Sequence, residues 1–262
     1  MGQNFLTDRT VLSRIIRTVD CGPADWILEV GPGRGALTSL LVETGANVVA
    51  VELDRDLVPY LNRELAGKEN VEIVNADILK LDLKEFLTSR WSGRWKVAAN
   101  LPYNISSQVI FKFLDANTLF SQLVLMLQKE VGDRLAAPPD CKEYGILSVL
   151  CRLHFDIKRE FIVRPGSFHP IPKVDSAVLK FTSLPAPRVD VGDEAVFRRV
   201  VKAAFGQRRK TLWNCLRAAA IFDDDEQLLN TLEKCGIDGR RRGETLSLEE
   251  YAALTKALLV NS

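Results

Sequence analysis

Histidine is nearly missing: the 262 residues contain two, His154 and His169. A His-rich metal site is thereby excluded, and a Ser-His-Asp triad is disfavoured. Cysteine is sparse, odd in number and scattered (Cys21, Cys141, Cys151, Cys215, Cys235), never in a CxxC spacing. That argues against a disulfide framework or a zinc site and suits a reducing compartment, so a cytoplasmic location and no metal are expected. No apolar run reaches the ~18–20 residues of a membrane span, and no charged-then-apolar leader precedes a cleavage site. A net charge of +1 by itself names no partner. What is present is an ordinary globular composition, 47% hydrophobic and 26% charged. At this length it can build a large domain plus a small one.

Through the first two-thirds, short branched apolar runs alternate with amphipathic stretches. WILEV (26–30), NVVAVEL (47–53), VEIVN (71–75), WKVAA (95–99) and QLVLML (122–127) read as strands covered on both faces. ALTSLLVET, RDLVPYLNREL and SQVIFKFLDA have helical spacing. Strand and helix in alternation predict right-handed crossovers and a doubly wound α/β sheet. After Gln128 the rhythm changes. EVGDRL and YGILSVLCRL read as helices, FDIKREFIV (155–163) and VDSAVLKFT (174–182) as strands. RPGSFHPIPK between them holds three prolines and is expected to be irregular. From Ala186 onward only helical patterns follow. The prolines of SLPAPR (183–188) mark a linker, giving domains over 1–184 and 185–262.

Four residues stand at the carboxyl ends of successive predicted strands, where open α/β sheets bind ligands: Gly31, Glu52, Asp77 and Asn100. The glycines of LEVGPGRGALT, at 31, 33 and 35, permit a tight turn and close ligand approach at a helix N-terminus. Their GxGxG spacing differs from the GxGxxG of dinucleotide sites and favours a ligand without a pyrophosphate. Glu52 lies 52 − 31 = 21 residues beyond Gly31, the spacing of a ribose-binding acid. A nucleoside with its ribose on Glu52 and its adenine edge near Asp77 fits, and S-adenosylmethionine is the cofactor that needs those groups and no phosphate cradle.

QNFL, EVGPGRGALT, VELD, NADIL, NLPYNIS, LQKEVGDRL, YGILSV, FHPIPKVDSAV and FGQRRKTL together resemble the ribosomal RNA adenine N6,N6-dimethyltransferases, in family order over nearly the whole chain. The nearest likeness is to the branch that dimethylates two adjacent adenosines near the 3′ end of small-subunit rRNA during ribosome biogenesis. The resemblance implies a Rossmann-like S-adenosylmethionine-dependent sheet with a small helical C-terminal domain, and Asn4, Leu6, Gly31, Glu52, Asp77 and Asn100 as contacts to the donor. It also implies a pre-ribosomal small subunit as partner; a monomer is expected. By the resemblance, a basic stretch usually precedes GQNFL, whereas the sequence here opens MGQNFL.

NLPY then acquires a chemical role. The exocyclic amine of adenine is a poor nucleophile because its lone pair is delocalised into the ring. Acceptors on the Asn100 side chain and the Leu101–Pro102 main chain would hold its two N–H bonds and turn the lone pair toward the methyl group. Tyr103 would stack on a base that has left its RNA stack. By the resemblance, Phe168 would form the opposite face of a π-sandwich, with a core-anchoring role as the equal alternative. His169 reads as a loop hydrogen-bonder.

Seven bases and no acid fall between Ala195 and Phe222. Arg208, Arg209 and Lys210 are expected to contact the RNA backbone, against the alternative of a solvated helix face. Competing readings are the resistance-type large-subunit rRNA methyltransferases, DNA adenine methyltransferases, and a non-catalytic assembly factor on the same fold.

Overall fold

Short branched runs become strands and amphipathic runs become helices in the computed structural model, which describes residues 4–207 and 209–260. In chain order the first elements are β1 (Phe5–Leu6), α1 (Arg9–Val19), β2 (Trp26–Val30), α2 (Ala36–Glu43), β3 (Asn47–Glu52) and α3 (Leu57–Glu64). Next come β4 (Val71–Asn75), α4 (Leu83–Thr88), β5 (Trp95–Asn100), α5 (Ser106–Asp115), β6 (Phe120–Gln128), α6 (Lys129–Ala136) and α7 (Ile146–His154). The chain continues with β7 (Phe155–Val163), β8 (Phe168–His169), β9 (Ser176–Ser183), α8 (Glu194–Ala204), α9 (Leu212–Ala218), α10 (Asp225–Lys234) and α11 (Leu248–Val260).

Seven strands form one sheet in the order β4-β3-β2-β5-β6-β9-β7. The first five are parallel, and β9 joins β6 antiparallel. From β2 the chain winds outward through β3 and β4, then returns to lay β5 on the other side of β2. The order therefore reverses between β2 and β5, where a crevice opens at the carboxyl edge. Val30 pairs with Ala99 at that point, so Gly31 and Asn100 leave the sheet side by side.

Two features escape the sequence pattern and both shape the crevice. Helix α1 is capped by Asp8, which accepts from the N–H groups of Thr10 (2.9 Å) and Val11 (3.2 Å). The N–H of Val11 and the Ser167 hydroxyl hold the Asp8 carboxyl below the usual carboxylate range. Its Val11, Leu12, Ile15 and Val19 face the core. Strands β1 and β8 form a separate two-stranded ribbon, Phe5 opposite His169 and Leu6 opposite Phe168. The proline-rich segment is thus not wholly irregular. A single-turn helix (Pro165–Ser167) and β8 occupy the stretch before Pro170, where backbone donors remain.

The chain divides into two compact units, one of residues 4–132 with Asp156–Ser183, the other of Asp133–Phe155 with residues 184–260. The expected assignment of all of 1–184 to one domain therefore needs correction for 133–155. Helix α7 buries Val149, Leu150 and Leu153 and packs on α8 and α11. In the second unit Tyr251 is fully buried and donates its hydroxyl hydrogen to the Gly243 carbonyl (2.7 Å). Among the described residues, no helix is long and apolar enough to cross a membrane.

Candidate active site

The crevice at the switch point is a cavity of about 750 Å³, within the range of small-molecule sites. Its lining draws on β1, the carboxyl ends of β2, β3 and β5, the loop after β4, and His169 of β8. Asn4, Leu6, Gly31, Glu52, Asp77, Asn100, Leu101, Pro102 and Tyr103, all expected from the sequence, come together in it.

The glycine turn meets the cavity where β2 gives way to α2. Gly31 and Gly33 take φ of +71° and +60°, and a Cβ on Gly33 would lie 3.1 Å from the Phe5 ring. Only glycine suits both the backbone and the close approach. The Gly33 N–H is held by Glu52 Oε2 (3.1 Å), while Glu52 Oε1 accepts from the Asp54 N–H (2.9 Å). Both bonds fix the buried carboxylate at the tip of β3, with lone pairs left for a ligand's hydroxyl groups. Asp77 lies two residues past the end of β4 rather than on the strand itself. Its Oδ1 accepts from the Leu79 N–H (3.0 Å) and its Oδ2 stands 4.0 Å from the Lys80 ammonium.

The NLPY turn is braced from several sides. The Leu101 N–H bonds the Met126 carbonyl (3.1 Å), the Pro102 carbonyl accepts from the Ile105 N–H (3.2 Å), and the Tyr103 carbonyl accepts from the Ser106 hydroxyl (3.2 Å). Among the described residues the Asn100 side chain and the Leu101 carbonyl have no such partner. The main-chain acceptor left for a ligand is therefore the carbonyl of Leu101. The Tyr103 hydroxyl lies 2.8 Å from Ser176 Oγ, which leaves its half-buried ring positioned by its far end.

Phe168 is different. Its ring is 2% exposed, packed in the cluster with Leu6, Leu12 and Val178, and does not line the cavity. The core-anchoring alternative is what the structure holds, and the neighbouring His169 lines the cavity instead. Alternation along a strand explains this, since adjacent side chains point to opposite faces.

Glu29 was missed by sequence reasoning. It sits inside β2, 2% exposed, lines the cavity, and its Oε2 has no hydrogen-bond partner among the described residues. Burial pushes its pKa up to about 8, with Thr38 countering in part and the Glu52 charge adding to the rise. The signal was a lone acid in the apolar run WILEV. A buried acid with an unpaired oxygen, beside Glu52 and Asp77, makes the cavity suited to a ligand that carries positive charge as well as hydroxyl groups. S-adenosylmethionine has a sulfonium, an ammonium and a ribose, so these residues fit it.

In the second unit, Arg209 and Lys210 are exposed; Arg208 lies outside the described residues. The loop at 239–242, a second cluster that the sequence reading passed over, is tied beside them. The N–H groups of Leu212 and Trp213 donate to the carbonyls of Arg241 (2.6 Å) and Gly239 (3.0 Å). Arg241 turns inward to pair with Glu250, whereas Arg240, 90% exposed, pairs with Asp238 (2.9 Å) at the surface.

Comparison with known proteins agrees with this geometry. The family model described as ribosomal RNA adenine dimethylase matches residues 1–258. A ribosomal RNA small subunit methyltransferase A from Geobacter sulfurreducens is 62% identical over 99% of this chain and 94% of its own length. One of the same name from Clostridium acetobutylicum is 43% identical over 97% and 91%. A dimethyladenosine transferase structure from Plasmodium falciparum shares the fold, with a TM-score of 0.81 at 24% identity and 95% coverage of both chains. The 23S rRNA methyltransferase ErmE is similar at a TM-score of 0.72 and 25% identity, over 97% of this chain and 99% of that one.

Proposed function

This chain belongs to the ribosomal RNA adenine dimethylase family, and on that premise we propose that it dimethylates N6 of two adjacent adenosines near the 3′ end of small-subunit rRNA. The methyl donor is S-adenosylmethionine. The observation that carries the reading is the pairing of two acceptors without partners among the described residues, the Asn100 side chain and the Leu101 carbonyl, with an acid-lined cavity at the same sheet edge.

When bound, the donor supplies a methyl group activated by its sulfonium. Glu52 holds the ribose hydroxyls, Asp77 the adenine edge, and Glu29 the cationic end. Asn4, Leu6 and Gly31 close around the remainder. Asn100 Oδ1 and the Leu101 carbonyl accept the two N–H bonds of the target amine, which lets its nitrogen pyramidalise as the new bond forms. These acceptors are preplaced, so they stabilise the transition state without reorganising. Tyr103 stacks on the extruded base, and its bond to Ser176 keeps the ring from swinging away. Main-chain bracing of the turn fixes the amine's approach, which is the orientational share of the rate.

RNA affinity comes from the second unit. Arg209 and Lys210 offer positive charge to phosphates, which position the RNA without reading its sequence. We place the reaction in the cytoplasm, on a pre-ribosomal small subunit, by a monomer.

The relatives named for small-subunit rRNA cover nearly all of this chain at up to 62% identity, whereas ErmE stands at 25%. That difference favours the small-subunit substrate over the large. Incubation with labelled donor and unmethylated small subunits, beside large subunits and DNA, tests it. Label in dimethyladenosine of small-subunit RNA is expected; label confined to large subunits or DNA, or none anywhere, contradicts it.

A further inference from the structure

The loop between β7 and β9 carries an apolar side chain for which the site above has no use. Ile171 is 69% exposed, with Val174 at 44% nearby in the chain. A single exposed isoleucine is ordinarily unremarked, but the surroundings of this one are specific. Its backbone is stiff, lying between the exposed Pro170 and the buried Pro172. The loop base is closed by the Arg164–Asp175 ion pair (2.8 Å), and Ser167 is anchored to Asp8 (3.0 Å). Lys173, two residues on, is exposed and cationic.

Its location is equally constrained. His169 lines the cavity, and two residues of chain span at most ~7 Å. The Ile171 backbone therefore stays within ~7 Å of a residue that lines the cavity, with its side chain outside the lining itself. The same loop leads to Ser176, the hydrogen-bond partner of Tyr103.

We propose that Ile171 is a wedge that enters the RNA stack where the target adenosine has left it, with Lys173 on a flanking phosphate. The inference rests on the RNA adenine reading above and deepens it. A base that reaches a donor inside a cavity must be extruded, leaving a gap between its neighbours. Apolar side chains inserted at such steps keep them unstacked. Isoleucine is well suited to this, because branching at Cβ limits its rotamers and little freedom is lost on insertion. A cation beside the wedge matches a strand of phosphates better than it matches an apolar protein groove.

The test uses the full chain with I171S and I171L, and small subunits reconstituted with 2-aminopurine at the target position for a fluorescence readout. Unmodified subunits serve for kinetics. With the side chain exposed, both variants should melt with wild type and bind donor equally. I171S should lose the fluorescence rise on binding and roughly tenfold or more in kcat/KM, and I171L should recover most of both. I171S within about twofold of wild type in both readouts overturns the wedge. Weakened subunit binding with the fluorescence rise intact also overturns it, and points to a protein contact. If wild type itself neither transfers methyl groups to small subunits nor unstacks the probe, the RNA adenine reading has failed, and the wedge goes with it.

Discussion

Glu29 shows how one side chain can report on a ligand. Its carboxyl is raised to about 8 by burial, so in the free protein it is mostly neutral at pH 7. A cationic donor placed against it favours the ionised form, and binding then expels a proton. Donor affinity of wild type relative to Glu29→Gln should therefore be near unity at pH 6. It should grow toward tenfold per pH unit until the pH passes the free pKa, by calorimetry in buffers of different ionisation enthalpy. A ratio independent of pH would place the cation elsewhere. The folded state also keeps a proton that the unfolded chain releases above about 4.5, so unliganded stability should fall from there toward pH 8 in wild type and not in the glutamine variant. Asn100 and Glu52 were legible because each stands at the carboxyl end of a readable strand. Glu29 was hidden by its own strand, where an acid among Ile, Leu and Val reads as noise unless its burial is asked about. Phe168 could not be decided from sequence, since strand alternation places it only once β8 is known.

At the scale of elements, the parallel strands were read correctly because their apolar runs are continuous and bounded by turn residues. Helix α1 went unread although Val11, Leu12, Ile15 and Val19 have helical spacing, and Asp8 supplies the cap. The β1–β8 ribbon has two residues per strand, too few for any periodicity, yet it supplies Phe5, Leu6 and His169 to the cavity. The loop before α9 makes the matching case for charge. Its Arg209 and Lys210 were legible as a run, whereas the neighbouring 239–242 loop came beside them only through main-chain bonds to Leu212 and Trp213. Replacing Arg209 and Lys210 with alanine should weaken RNA binding and reduce the salt slope by about one to two in log–log terms, while donor affinity stays unchanged. An unaltered slope in filter binding across salt would remove the loop from the RNA interface.

For the whole molecule, the sequence suggests one boundary at 184/185, whereas the compact units divide at 132/133, 155/156 and 183/184, because a chain excursion out of one unit and back leaves no linker composition at its ends. What sends α7 elsewhere is its long apolar face, and only packing reveals the partner. The proposed activity converges on the sheet edge, where Asn100 and Leu101 would hold the amine of an RNA adenine for methylation. The most direct measurement is single-turnover transfer from saturating labelled donor to unmethylated small subunits, wild type against Asn100→Ala. The side-chain acceptor is worth about 2.7–4 kcal/mol by analogy with a lost oxyanion-hole donor, so the variant should be slowed roughly 10²- to 10³-fold with subunit binding retained. Equal rates for the two proteins at saturating donor would contradict the account.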